Sequence, residues 1–126
     1  MSNNDKQPHY LNLFRFHFPV TAVLSFGHRI TGVVLALLVP VLVYLLALSL
    51  QGNKGFAAVT ALFDATWVRV ISVFLIWALV HHGLAGVRFL LLDLELGIAR
   101  PTAKMTAWAV NIGGIVIFLL SAVILI

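Results

Sequence analysis

Two short groups of polar residues interrupt a chain that is otherwise apolar, and both carry side chains able to do chemistry. The first is Ser25-Phe26-Gly27-His28-Arg29-Ile30-Thr31-Gly32; the second is His81-His82-Gly83-Leu84-Ala85-Gly86-Val87-Arg88, running on to Asp93. In the first group Thr21, Ser25, Arg29 and Gly32 follow helical spacing, with His28 beside them, so on a helix they form one stripe. Ser25 and Arg29 are one turn apart. A hydroxyl and a guanidinium directed into the same space can hydrogen-bond a carbonyl oxygen and stabilise negative charge developing on it. The competing reading of Arg29 is that its long side chain snorkels to a membrane interface.

The second group has the character of a cofactor-ligand site. His82 and Gly86 are four residues apart, which puts a small residue one helical turn from the imidazole on the same face. A glycine there lets a flat macrocycle or another helix come close, and neutral imidazole is a common ligand of haem iron. His81 and His82 point about 100° apart on a helix, so they do not serve one metal together, and Gly86 singles out His82. Arg88 is placed to pair with Asp93 or with a haem propionate. The competing reading is a histidine hydrogen-bonded across helices, with the glycine serving packing.

The elements that position these groups must be membrane helices. Hydrophobic residues make up 62% of the 126 residues and charged residues only 10%, against about 45–50% and about 25% for a soluble domain. Mean hydropathy is +1.09. Three stretches, about residues 19–50, 67–92 and 105–126, meet the length of roughly 20 residues that a span requires. The expected fold class is all-α, an integral membrane three-helix bundle over residues 19–126. Ionisable groups in such helices face a bundle interior and mark a site. Residues 1–18 form an interfacial tail in which Tyr10, Phe14, Arg15, Phe16 and His17 suit an aromatic belt or a peripheral partner. No stretch is left for a water-soluble catalytic domain, so soluble machinery belongs to other chains. The chain has no cysteine, which excludes disulfides, thiolate-held iron–sulfur clusters and cysteine nucleophiles from it. The basic residues are scattered beside spans rather than gathered, which speaks against a nucleic-acid surface. The N-terminus lacks a signal-peptide pattern, and the expectation is a bacterial protein inserted directly into the inner, cytoplasmic membrane.

Charge sets the expected orientation. Lys6, Arg15 and Arg29 lie in the tail and the start of span 1, and Arg88, Arg100 and Lys104 flank the second loop. Only Lys54 and Arg69 flank the first loop, so six basic residues oppose two. The positive-inside rule then places the N-terminus in the cytoplasm and the C-terminus in the periplasm. Counting inward, His28 and His82 both lie about 13–17 Å below the inner surface. One haem is within reach of both, with His28 either a second axial ligand or a hydrogen-bond partner of a propionate. Pro40 is expected to kink span 1. Residues 51–55 read as a turn, residues 56–64 as a short surface helix, and Thr102 as a cap of the third helix. Span 3, with Asn111 and Gly113-Gly114, reads as a packing element.

The pairing of Ser25-x-x-His28-Arg29-x-Thr31-Gly32 with His82-x-x-x-Gly86-Val87-Arg88-Phe89-x-x-x-Asp93 resembles the two signatures of the cytochrome b membrane-anchor subunit of succinate dehydrogenase. Their order and the three-span layout match as well, from about Pro8 to the C-terminus. The resemblance implies that His82 is an axial ligand of haem b, with the second ligand supplied by a second small anchor subunit. It implies that Ser25 and Arg29 line the ubiquinone site, and that His28 and Arg29 lie near the haem propionates. It further implies a flavoprotein carrying FAD that oxidises succinate, and an iron–sulfur subunit that relays electrons to quinone. A related expectation is the anchor of a quinol:fumarate reductase, which runs electrons the other way; a different class is a small histidine-based proton or ion channel. Two positions depart from the pattern. The usual Arg-Pro near the N-terminus reads Gln7-Pro8, and the usual Asp-x-Gly reads Asp93-Leu94-Glu95, with glycine only at Gly97.

Overall fold

The structure, a computed structural model, describes residues 18–126; the tail residues from Tyr10 to His17 lie outside the described part. It consists of four helices: α1 (Val20–Ser49), α2 (Asn53–Asp64), α3 (Thr66–Asp93) and α4 (Arg100–Leu125). Among the described residues there is no strand. The expected all-α architecture is borne out: α1, α3 and α4, of 30, 28 and 26 residues, are each long and apolar enough to cross a membrane. The chain is a multi-pass membrane protein. The surface helix expected at residues 56–64 is present as α2.

Local chemistry explains the boundaries. Pro19, extended at φ −61° and ψ 145°, precedes α1, and its carbonyl accepts from the N–H groups of Ala22 and Val23. Pro40 lies inside α1, which continues through it to Ser49. Thr102 is not the cap of the third helix. Proline has its φ preset for a first turn and no N–H to satisfy, so α4 begins ahead of Pro101, at Arg100, with Ala99 as the capping position. Gly55 is buried where α2 folds back on α1, because a Cβ there would run into the Leu48 carbonyl. Arg69 and Asp64 pair at 3.3 Å across the α2–α3 corner; both are exposed, and such pairs contribute little.

α3 is the central helix, packed most extensively against α4 and α1. The interior is small and partly polar. Leu24, Ala85, Ala107 and Val110 form its apolar cluster, with Val20 and Phe89 packed on it, while Thr31, His81, Arg88 and Ser121 are also buried. The outside carries the large apolar side chains, among them Leu37, Val43, Leu79, Ile115, Leu119 and Val123. This inverts the arrangement of a soluble bundle. In lipid an outward Leu costs nothing, whereas close approach of backbones through Ala and Gly gains van der Waals contact.

The end of α3 gives a first prediction. Leu96 N–H bonds the Leu91 carbonyl and Glu95 N–H the Leu92 carbonyl, both at 2.9 Å. This is the Schellman pattern, whose turn residue must be left-handed. That residue is Glu95, at φ +61°, and it stands where the resembled pattern has glycine. A non-glycine residue pays roughly 1–2 kcal/mol for this conformation, so Glu95→Gly is expected to stabilise the protein by about 1 kcal/mol, the added chain entropy of glycine offsetting the rest. Detergent-phase unfolding followed by circular dichroism reads the shift; an unchanged or lower midpoint refutes it.

Candidate functional site between α1 and α3

The two polar groups of the sequence meet at one level of the bundle. The rings of His28 on α1 and His82 on α3 stack in parallel, with centroids 4.2 Å apart and planes 7° from coincidence. Phe89, two turns on from His82, packs edge-on against His28 at 5.2 Å. Gly86 lies beneath this stack, where a Cβ would stand 3.5 Å from His28 Nε2. The glycine that singled out His82 thus seats His28.

His82 is held through one nitrogen only. Its Nδ1 lies 3.1 Å from the His28 carbonyl oxygen and 3.3 Å from Thr31 Oγ1. A carbonyl can only accept, so Nδ1 carries the proton and donates it, which leaves a lone pair on Nε2. Among the described residues Nε2 has no hydrogen-bond partner. A half-buried imidazole with its outer N–H anchored and its other nitrogen free is what a haem iron ligand requires, so the residues present fit that group. Rings lying face to face at 4.2 Å leave no room for a flat macrocycle between His28 and His82 in this arrangement.

His81 has a different task. It is 4% exposed and lies among three helices, with Nε2 3.3 Å from Asn111 Oδ1 on α4 and its ring tilted against Trp77. Gly27 on α1 makes room for it, because a Cβ there would stand 2.9 Å from His81 Cε1. Gly114 does the same from α4, at 3.5 Å from Cδ2. Beside it a cleft of about 520 Å³ opens to the membrane between Phe26, Trp77, Trp108 and Asn111. Gly27→Ala is therefore expected to push α1 from α3 and to cost about 1–3 kcal/mol, as overpacking usually does, because His81 is enclosed and cannot yield as a surface side chain would. The yield of intact protein in detergent and its unfolding midpoint measure this; a neutral Gly27→Ala overturns the packing assignment.

Arg88 does not pair with Asp93. Five residues apart on a helix, the two point about 140° from each other. Arg88 is 6% exposed and reaches α4, where Nε donates to Thr106 Oγ1 at 3.0 Å and Nη2 to the Ala103 carbonyl at 2.9 Å. Its guanidinium also lies over the Phe89 ring, 5.6 Å from the centroid. Span 3 does more than pack: Asn111 partners His81 Nε2, and Thr106 and the Ala103 carbonyl partner Arg88, while His81 Nδ1 is buried with no hydrogen-bond partner among the described residues. The sequence signal was present in the polar residues Thr106 and Asn111, but nothing in it named their partners.

Ser25 and Arg29 stand apart from the histidines. Leu24, Gly27, His28, Thr31 and Gly32 turn toward α3 and α4, whereas Ser25 is half-buried and Arg29 exposed. Among the described residues Arg29 has no ion-pair partner. The stripe read from the sequence splits along its length: His28 and Gly32 face this chain's own bundle, and Arg29 faces away from it.

The family described as the succinate dehydrogenase/fumarate reductase transmembrane subunit matches residues 3–121. A succinate dehydrogenase cytochrome b556 subunit of Coxiella burnetii is 33% identical over 121 residues, covering 95% of this chain and 97% of the relative. Subunits of the same name from Rickettsia conorii and Paracoccus denitrificans are 27% and 25% identical, covering 92% and 97% of this chain and 90% and 94% of theirs. With three apolar helices and the two motifs joined at one level, the chain belongs to the succinate dehydrogenase/fumarate reductase transmembrane-subunit family, as a cytochrome b membrane-anchor subunit of succinate dehydrogenase in the respiratory chain.

Proposed function

We propose that this chain and a second small anchor subunit hold haem b between them in a bacterial inner membrane, and that together with an iron–sulfur subunit they form a site where ubiquinone is reduced with electrons from succinate. The flavoprotein that oxidises succinate carries FAD, and the clusters lie in the iron–sulfur subunit. The observation that carries this reading is His82, anchored at Nδ1 and free at Nε2. Its stack with His28 supports a single iron ligand from this chain, with the other supplied by the second anchor subunit. The cytochrome b556 names of the relatives support haem b, and their succinate dehydrogenase names support succinate as the electron source.

When bound, the haem supplies a reversible one-electron store. The chain's own residues do the rest. His82 would offer its Nε2 lone pair to iron; the His28 ring N–H and the Arg29 guanidinium, on different faces of α1, would be the donors available to anionic propionates. Ser25 and Arg29 present a hydroxyl and a fixed positive charge toward a quinone carbonyl. Arg29, exposed on this chain, is then covered by another subunit, and the quinone lies at that seam. The N-terminus is cytoplasmic, in keeping with six basic residues against two.

Purification of the tagged chain in mild detergent tests the assembly. The expected result is a red preparation containing two large soluble subunits and a second small membrane subunit. A colourless chain that purifies alone and carries protons or ions across vesicles would replace this reading with the channel.

A further inference from the structure

Two oxygens from α1 hold His82 at Nδ1, and only one of them is backbone. Thr31 is 1% exposed and sits between the His28 turn and the His82 ring. Its hydroxyl has one proton, taken by the Gly27 carbonyl at 2.8 Å or the His28 carbonyl at 3.0 Å. Either way Oγ1 turns a lone pair toward His82 Nδ1, 3.3 Å away, beside the His28 carbonyl at 3.1 Å. The Nδ1 proton is therefore shared between a carbonyl and a hydroxyl. Gly32, the next residue, admits the ring this close: a Cβ there would stand 3.0 Å from His82 Cε1 and 3.4 Å from Nδ1. Thr31 and Gly32 thus make one seat for the His82 ring.

We infer that Thr31 is a positioning residue that, with the His28 carbonyl, fixes the tautomer and the electron donation of His82 and so sets the reduction potential of the metal group His82 ligates. The inference rests on the reading of His82 as haem ligand. An acceptor on the outer N–H makes an imidazole a stronger donor through its other nitrogen, which favours the oxidised metal. Removing one of two acceptors weakens that donation and favours the reduced form.

The test is a redox titration of haem absorbance in the assembled complex carrying Thr31→Val or Thr31→Ser. Thr31→Val keeps the shape and loses the hydroxyl; a several-fold rise in the reduced-to-oxidised ratio at fixed ambient potential is expected, with the low-spin spectrum retained. Thr31→Ser restores the native ratio. No shift in Thr31→Val, or equal shifts in both variants, overturns the inference, the second result assigning the effect to packing. If Thr31→Val loses haem, retention in Thr31→Ser supports the hydroxyl's role, and loss in both overturns it. His82→Leu serves as the control that separates the two levels. A haem spectrum that survives in His82→Leu removes the ligand reading itself, whereas a flat Thr31 series beside a haemless His82→Leu removes only the role of Thr31.

Discussion

His82→Leu is expected to abolish the low-spin haem spectrum of the assembled complex, and His81→Leu to retain it. The two histidines are neighbours in sequence and opposites in environment. His82 has one nitrogen committed to α1 and the other free of any hydrogen bond among the described residues. His81 is enclosed, with Nε2 on Asn111 and a Cβ-less glycine on either side. Loss of an outer partner of a metal ligand typically costs about 10–100-fold in metal affinity, and loss of the ligand itself costs more, so His82→Leu leaves little or no haem. His81→Leu strands the Asn111 amide and costs about 1–3 kcal/mol of stability, a loss that shows in the unfolding midpoint and not in the position of the haem bands. Optical spectra of both variants, normalised to flavin content, measure the contrast. Haem lost from His81→Leu and kept in His82→Leu would reverse the assignment; haem kept in both would place the ligand outside this pair.

Much of this geometry could be read before any coordinates. Hydropathy located α1, α3 and α4 because lipid selects for long apolar helices so strongly. Counting residues inward from the basic flanks put His28 and His82 at one depth, and their rings are in contact. What the chain of letters could not give was direction. Gly86 pointed to His82 by its spacing, yet it lies under His28 Nε2; a glycine marks a close approach without saying what approaches. The glycines that seat the two α3 histidines are Gly27 and Gly32, on the opposite helix. They were visible as small residues flanking His28, but not as partners of residues some fifty positions away. Arg88 and Asp93 were separable by helix geometry alone, since about 140° parts them. The true partners of Arg88, Thr106 and the Ala103 carbonyl, depend on the packing of α4. The outward turn of Arg29 is a different kind of gap. A polar stripe on a membrane helix must be covered by something, and one sequence does not say whether its own chain or another does the covering.

That outward turn sharpens the expected behaviour of the quinone site. Ser25→Ala and Arg29→Leu are expected to lower succinate-to-quinone electron transfer sharply while leaving succinate oxidation by an artificial dye largely intact. Dye chemistry belongs to the soluble subunits and does not pass through the membrane site proposed for Ser25 and Arg29. A quinone being reduced gathers negative charge on oxygen, and a hydroxyl and a guanidinium already in place stabilise that charge without reorganising. Loss of one such donor costs about 2.7–4 kcal/mol, or about 10²–10³-fold in rate, at oxyanion-type sites. Half that energy still gives a change of about tenfold or more. Ser25 is half-buried and takes part in none of the side-chain hydrogen bonds that join α1 to α3, so Ser25→Ala is the variant that isolates the chemistry. If Arg29 also serves a haem propionate as proposed, a fall in haem content is expected to accompany the loss of quinone reduction in Arg29→Leu. Rates at limiting quinone, dye rates and haem content, measured on the same preparations, separate these effects. Full quinone reduction in Ser25→Ala, or parallel loss of dye reduction in both variants through failed assembly, would make the Ser25–Arg29 pair an interface contact rather than part of the quinone site.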